Sequence, residues 1–464
     1  MGNDSYIIAY KGFGKMNNEL NAVWSRGVDM PHFERLKSDI STDVLIIGGG
    51  IAGILCAYML KNAGVDCTVV EAGRICGGVT QNTTAKITPL HGAIYDKMLR
   101  RFGGEITEQY YNANLQAYYR YKAMCAQIDC DFEPCDSYVY SLDDKRKIEY
   151  EAAALKSIGA KVEYAKALPL PFDTAGAVKI ADSAQFNPLK FLAAIAQNLH
   201  IYEHTRVLET ANTTAICEGG RITAQKIIAA THFPLSNKRG AYFLKMYQSR
   251  SYVLALQNAD NVQGMFRDAA SVGLSFRNYG KLLLLGGGGA RTGKTCGWDY
   301  VEKAAVRYYP NSHLFYRYAA QDCMTVDDLP YVGHYSKNTP NWYVITGFNK
   351  WGMTNAMAGA GIVKDMILGK QNDYEAAFSP SRCYVRPQLF ANAAHAVGNI
   401  VKPTAKRCVH MGCALKWNDA EHSWDCPCHG SRFSGEGELL DTPAQGDLKK
   451  IGQGECFHKS TRRL

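Results

Sequence analysis

The stretch "STDVLIIGGGIAGILCAYMLKNAGVDCTVVEAGR", residues 41–74, reads as strand, tight turn, helix and strand in succession. Val44 to Ile47 is an apolar run short enough for a buried parallel strand, and Ile51 to Asn62 has helical length with Gly64 closing it. Between them Gly48, Gly50 and Gly53 stand in G-x-G-x-x-G spacing. The first glycine permits the turn, the second lets backbone approach a pyrophosphate, and the third allows close packing of helix on strand. Glu71 ends the second strand, 21 residues after Gly50, where it is placed to accept a hydrogen bond from a ribose hydroxyl. Three glycines alone are weak evidence. A preceding strand, a following helix, a second strand and the acid together predict a bound dinucleotide. An acid in this position disfavours a 2′-phosphate, which leaves FAD or NAD.

The surrounding chain is long. With 464 residues it exceeds what one hydrophobic core supports, so two or three domains are expected. Hydrophobic residues make up 47% with no biased tract, and no run of about 18 apolar residues appears, so the chain is expected to be globular with no membrane span. The start, "MGNDSYIIAYKGFGK", has neither a signal layout nor a Ser or Thr at position 6, and a cytoplasmic protein is expected. Fifteen cysteines is an odd number, and most stand alone in apolar segments, as Cys56 and Cys67 do; that fits thiols in a reducing compartment. The formal charge of +9 is spread along the chain, with one modest cluster in the tail "HKSTRRL", so a solvated basic surface is expected and no nucleic-acid partner.

The segment after Glu71 chooses between the cofactors. "GGVTQNTTAKITPLHG", residues 77–92, contains Gly77, Gly78, Thr83, Thr84 and Lys86. It resembles the loop by which FAD-dependent oxidases of the D-amino-acid-oxidase-like family wrap the pyrophosphate and flavin ring. "HTRVLE" (204–209), which contains Val207, and "AQKIIAATHF" (224–233) resemble the strand pair that closes on the adenosine half. "DDLPYVGHY" (327–335) and "WYVITGFNKWGMTNAMAGAG" (342–361) resemble the late strand, Gly-rich turn and helix whose N-terminus faces the flavin. The residues support that last element without the family: Gly347 and Gly352 flank a turn after an apolar strand, and a small-residue helix begins near Thr354, offering unpaired N–H groups to an electron-rich ring. The resemblance spans roughly residues 20 to 375 and implies bound FAD.

Within this span the resemblance carries expectations for single residues. In dimethylglycine-dehydrogenase relatives a His after "TTW" carries the flavin covalently; here "TTAK" puts Lys86 there, which implies noncovalent FAD with Lys86 near the ring, stabilising its anionic reduced form. In sarcosine-oxidase relatives a Lys in the late turn binds the substrate carboxylate, and Thr354 occupies the matching position, which counts against a carboxylate at that point. Tyr252 and Arg291, in "GGGGARTG", are candidates for the substrate pocket, with a core residue and a surface loop as the plainer readings. The Tyr-rich segments near 93–180 and 233–325 are read as a substrate-facing domain or, equally, as a Tyr-rich core. Cys125, Cys130 and Cys135, evenly spaced, lack a fourth ligand and are expected to be structural thiols.

Near the other end stand "CVHMGC" (408–413) and "CPCHGS" (426–431). Cys408, His410, Cys426 and His429 are a set that tetrahedral zinc accepts. Each half, however, pairs one Cys with one His, which suits a cluster with two thiolates on one iron and two imidazoles on the other. The stretch resembles the Rieske [2Fe–2S] domain in its version with an additional cysteine pair. The resemblance implies those four residues as ligands and a Cys413–Cys428 disulfide, the two cysteines sitting in equivalent places beside the ligand loops. Respiratory Rieske proteins continue with Tyr two residues after the Ser, whereas this chain has Phe433; losing a phenol donor to sulfur predicts a potential in the middle or lower part of the range of about −150 to +300 mV. A Rieske oxygenase would need a further catalytic iron domain, for which the roughly 35 residues after His429 leave no room.

The expected fold is therefore an α/β Rossmann-like FAD-binding domain with an inserted α+β substrate domain, followed by a small all-β Rieske domain. Its expected organisation is an N-terminal extension over 1–40 and the oxidoreductase over 41–375, followed by a connector over 376–403 and the Rieske domain over 404–464. FAD-binding segments fall at about 41–92, 181–232 and 326–375. The implied activity is dehydrogenation of a small organic substrate, an amine or amino acid, with electrons passing singly through the tethered cluster to an external acceptor, a protein or a quinone. Two alternatives stand beside it: an electron-transfer protein with no organic substrate of its own, and a redox sensor that switches the Cys413–Cys428 pair.

Overall fold

The computed structural model describes residues 23–235, 239–294, 297–382, 398–404 and 406–448. Most of the connector read at 376–403, the basic tail and the first part of the N-terminal extension lie outside these residues.

The glycine-rich unit forms as its sequence dictates. Strand Ile40–Ile47 lies in parallel between Cys67–Val70 and Gly220–Ala229, and His200–Tyr202 extends the sheet beyond Cys67–Val70. Strand Trp342–Thr346 adds in parallel beside the end of Gly220–Ala229. Three antiparallel pairings, Val207–Ala211 with Thr214–Cys217, Thr214–Cys217 with Gly220–Ala229, and Tyr331–His334 with Trp342–Thr346, complete eight strands. Burial on both faces explains the near-continuous apolar runs. Helix Ile51–Asn62 is buried along Ile54, Leu55, Cys56 and Ala57 and shares one core with helix Gly352–Ile367. The C-terminal ends of the parallel strands thus converge on the two helix N-termini.

A second eight-stranded sheet runs His313–Thr325, Met246–Gln257, Leu282–Arg291, Ser275–Tyr279, Met265–Asp268, Ser137–Ser141, Gly176–Ile180 and Glu163–Ala165. Its faces differ. Val253, Ala255, Leu284 and Tyr318 point into the core shared with the first unit, whereas Tyr252, Leu254, Leu256, Leu283 and Leu285 pack outward under helix Asp299–Tyr308. The longest helix, Tyr95–Cys125, kinks at Gly103, whose φ of 80° leaves the helical region. Among the described residues no helix is long and apolar enough to cross a membrane.

The third unit is small and all-β: strands Lys416–Asn418, Ser423–Asp425, Arg432–Ser434 and Leu439–Asp441 pair antiparallel in sequence order. Its core is Cys408, Cys413, Leu415, Cys426, Cys428, Phe433 and Ala444. So little apolar surface is marginal for independent stability, and such units need a staple or metal centre.

Candidate redox site

The glycine turn is shaped by backbone contacts. Gly48 has φ 109°, and a Cβ there would lie 2.6 Å from the Ala230 carbonyl oxygen. A Cβ on Gly53 would lie 1.9 Å from the Gly48 oxygen, so helix and strand approach more closely than any side chain allows. At Gly50 the nearest atom to such a Cβ is Thr80 Oγ1 at 3.3 Å. Helix Ile51–Asn62 has no side-chain cap and no acid in its first turn, so its N-terminus retains positive potential for an anion. Glu71 is held by two backbone donors, Gly49 N and Gly73 N, each at 2.8 Å. Burial raises its pKa, while those two N–H groups oppose the rise.

The loop after Glu71 is pinned through its carbonyls. Thr83 O accepts from Trp24 Nε1 at 3.0 Å and from the Tyr318 hydroxyl at 2.8 Å, while Arg277 Nη1 donates to Thr84 O and Ala85 O. Val207 opens its strand and packs in the core that contains Ile47 and Val70. Gly347, at φ 74°, leaves no room for a Cβ beside Thr325, and Gly352 begins the late helix. Thr354 turns inward: its Oγ1 lies 3.0 Å from His91 Nε2 and 3.3 Å from the Thr88 carbonyl. Lys86 donates to the Phe266 carbonyl at 2.8 Å, and burial, reinforced by Arg267 and Arg277, holds its pKa well below the ordinary lysine range. Its amine is thus engaged by a backbone carbonyl of the mixed sheet.

The two pocket candidates separate. Tyr252 points outward, where its hydroxyl donates to Glu421 at 3.1 Å and its ring meets Trp298; the period-2 alternation of its strand turns it away from the flavin side. Arg291 stands at the sheet end on the inner face, opposite Ser249, with its guanidinium 5.0 Å from the Tyr247 ring centroid. Sequence reasoning missed the other inner-face groups, Tyr247 and Asp322, whose signal was the same alternation, and Lys350, which reaches that face from the late turn. Lys350 Nζ reaches across that face to Ser251 Oγ at 2.5 Å.

The cysteine–histidine loops fold as two copies of one turn. Cys408 N donates to Cys413 O at 2.9 Å and Gly412 N to Cys408 O at 2.9 Å; Cys426 N donates to Ser431 O at 2.8 Å and Gly430 N to Cys426 O at 3.0 Å. Gly412 and Gly430 both have positive φ, as the turn requires. This pattern matches Cys408 to Cys426 and Cys413 to Ser431, so Cys413 and Cys428 are not equivalent. The implied disulfide is not formed either: both residues are free thiols, and their sulfurs cluster with that of Cys426 within 4.8 Å. The His410 and His429 rings meet edge to face with centroids 5.0 Å apart. Burial keeps both imidazoles neutral, with pKa values pushed down to about 4. His429 Nδ1 is buried with no hydrogen-bond partner among the described residues, while the ring's bond to the Phe243 carbonyl leaves from the other nitrogen. An unsatisfied imidazole nitrogen beside clustered cysteines is what a metal cluster needs, with the second nitrogen oriented by a backbone acceptor.

This unit is seated on the flavin-side units by its ligand loops. Gln248 Nε2 donates to the carbonyls of His429 and Thr442 at 2.9 and 2.7 Å. Gln321 Nε2 donates to Gly430 O and to Gln248 Oε1, both at 2.8 Å. Arg291 donates to Pro427 O and Cys428 O at 3.1 and 2.8 Å. A buried ion network crosses the junction: Glu421 joins Arg250 to Arg432, and Arg432 also meets Asp425 and Asp441. Burial works against the Glu421 charge, but Arg250 and Arg432, with Tyr252, outweigh it and hold its pKa at about 2. The His410 and His429 imidazoles face the Phe233 ring at 6.3 Å each, and His429 also faces Phe243 at 6.2 Å.

A dinucleotide cradle, a mixed sheet over it and a docked two-Cys, two-His unit define a flavin-dependent oxidoreductase with a Rieske centre. The chain belongs to the family described as FAD dependent oxidoreductase, which it matches over residues 43–366, and it carries a Rieske [2Fe-2S] domain matched over 389–452. It binds FAD and a [2Fe–2S] cluster. A Bacillus subtilis protein described as "Putative Rieske 2Fe-2S iron-sulfur protein YhfW" is 33% identical over 92% of this chain and 97% of its own length. Among solved structures, L-proline dehydrogenase from P.horikoshii aligns with a TM-score of 0.62 at 18% identity, over 75% of this chain and 98% of its own. Glycine oxidase from Geobacillus kaustophilus aligns at 0.60 and 17%, over 74% and 99%. Both share the fold.

Proposed function

We propose that the chain dehydrogenates a small amine or amino acid on the inner face of the mixed sheet and sends the electrons through its own Rieske unit to an external acceptor, a protein or a quinone. FAD supplies two-electron oxidation there, and the cluster supplies one-electron transfer. The remainder of the work falls to side chains. Phe233 bridges the two sites: it touches both ligand imidazoles, and it follows Thr231 and Ala230 at the end of the strand whose carbonyl Gly48 packs against. Its neighbour His232 accepts at its carbonyl from Thr346, the residue before the Gly347 turn. Gln248, Gln321 and Arg291 hold the second ligand loop by its backbone, which fixes the distance between the sites. The single observation that carries this reading is the docking of both histidines onto Phe233 and Phe243. Twelve free cysteines among the described residues also fit a cytoplasmic location.

Anaerobic addition of a panel of amines and amino acids, followed by visible and EPR spectroscopy, tests the reading. The expected outcome is that one panel member bleaches the flavin and also raises the EPR signal of the reduced cluster. Flavin reduction with the cluster left oxidised would sink it, and reduction only by NAD(P)H or a partner protein would favour an electron-transfer protein with no organic substrate.

A further inference from the structure

The inner face of the mixed sheet holds a carboxylate that no group among the described residues satisfies. Asp322 lies on strand His313–Thr325 opposite Ser249 of Met246–Gln257. On the same face, Tyr318 and Val253 enter the core shared with the dinucleotide unit, and Ser251 receives Lys350 from the flavin-side turn. Asp322 therefore faces the space between the sheet and residues 347–352, and it keeps accessible surface although it is set deep in the protein. Among the described residues its carboxylate makes no hydrogen bond and no ion pair. Lys350 and Arg250 are the cations near enough to act on it, and the His232 imidazole, whose pKa burial lowers, stands beside them, yet none pairs with it. Burial raises its pKa. A deep carboxylate without a partner is costly unless a ligand completes it.

The turn beside it is strained in a matching way. Asn349 and Lys350 both have positive φ, at 51° and 74°. Asn349 is locked to the edge of the same strand: its N–H donates to the Cys323 carbonyl at 3.1 Å, and its Oδ1 accepts from Thr325 N at 2.8 Å. Such strain persists only where surroundings over-determine it, and it clusters at ligand sites. Here it fixes the flavin-side turn against the strand that presents Asp322. Thr354, by contrast, is buried and tied to His91 and Thr88.

We infer that Asp322 receives the cationic nitrogen of the substrate, so that the site selects organic amines through their ammonium group. The ammonium replaces the missing partner of the carboxylate, and Ser249 and Ser251 lie on the same face as further polar contacts. The inference rests on the proposed substrate oxidation and narrows its class.

The test uses the full chain with both cofactors under anaerobic conditions and reads binding from perturbation of the flavin absorption. Probes come as isosteric pairs: pyrrolidinium with tetrahydrofuran, benzylammonium with benzyl alcohol, and butane-1,4-diammonium with butane-1,4-diol. In the unaltered protein at least one cation is expected to bind well ahead of its neutral isostere. Asp322→Asn is expected to weaken that cation by about thirtyfold while leaving the neutral compound unchanged. Equal binding of every pair in the unaltered protein overturns the inference without relying on any variant. So does Asp322→Asn protein that retains flavin and binds the cation as tightly as before. A neutral compound that reduces flavin and cluster would leave the oxidation reading intact and remove only the amine assignment; failure of every compound to reduce the cluster would remove the oxidation reading instead.

Discussion

The dinucleotide cradle and the Rieske dock are both tight junctions, but they are made of different material. The cradle is backbone against backbone: Gly53 meets Gly48, and Gly48 meets Ala230. The dock is side chain against backbone and charge against charge: Gln248, Gln321 and Arg291 hold loop carbonyls, and Glu421 lies between Arg250 and Arg432. A backbone junction leaves glycines at fixed spacing, so it is written in a short stretch. A side-chain junction pairs residues more than a hundred positions apart, and any one of them looks ordinary. The first kind tolerates nothing; the second degrades by steps.

Gly53→Val tests the intolerant side and carries the largest expected effect. A Cβ already sits 1.9 Å from a carbonyl oxygen, and backbone cannot yield as a side chain does. The variant is expected to purify without flavin, read from its visible absorption; full flavin occupancy would show that the cradle has slack. Glu421→Ala comes next, because it removes the carboxylate that two buried arginines share. It is expected to destabilise the dock by about 3–5 kcal/mol, seen as proteolytic release of the Rieske unit with flavin retained. The same carboxylate sets a pH limit. Its folded pKa, about 2, is below the ordinary 4.5, so its contribution is fully present above about pH 4.5 and is lost as pH falls through about 2.

A smaller step is expected from Gln321→Leu. It removes donors to Gly430 and Gln248 and leaves buried acceptors unpaired, at a cost of about 1–3 kcal/mol in thermal unfolding of the Rieske unit. An unchanged transition would mean that the glutamine pair is not part of the dock. The mildest change is Phe433→Tyr. Phe433 is wholly buried in the small core with the ligand cysteines, and a phenol there is expected to raise the cluster potential without moving the flavin potential. A potential that stays put would remove the hydrogen-bond explanation for this position.

Much of the architecture was legible because its signals are local. Residues 41–74 show strand, turn, helix and strand on their face, and the four cluster ligands stand in two six-residue motifs. Glu203 was not legible. It accepts from Phe33 N and from the adjacent Arg74 and Ile75, partners that lie more than a hundred positions away in sequence. The face of Tyr252 was not legible for a different reason: its strand pairs on both sides, and without a known partner face a strand's alternation says which residues go together but not which set faces the flavin. The pairing of the two ligand turns was also out of reach. Both contain a cysteine two or five residues from the first, and only the hydrogen-bond pattern shows that Cys413 corresponds to Ser431.

The central claim is that the cluster serves the flavin of its own chain through a fixed dock. The most direct measurement is rapid-mixing spectroscopy in which the flavin is reduced and the cluster is then followed at several protein concentrations. The account predicts a first-order cluster reduction whose rate constant does not change with concentration and which slows in Phe233→Ala while flavin reduction does not. A rate that rises in proportion to protein concentration would mean that electrons pass between molecules, and the dock would then have no part in the transfer.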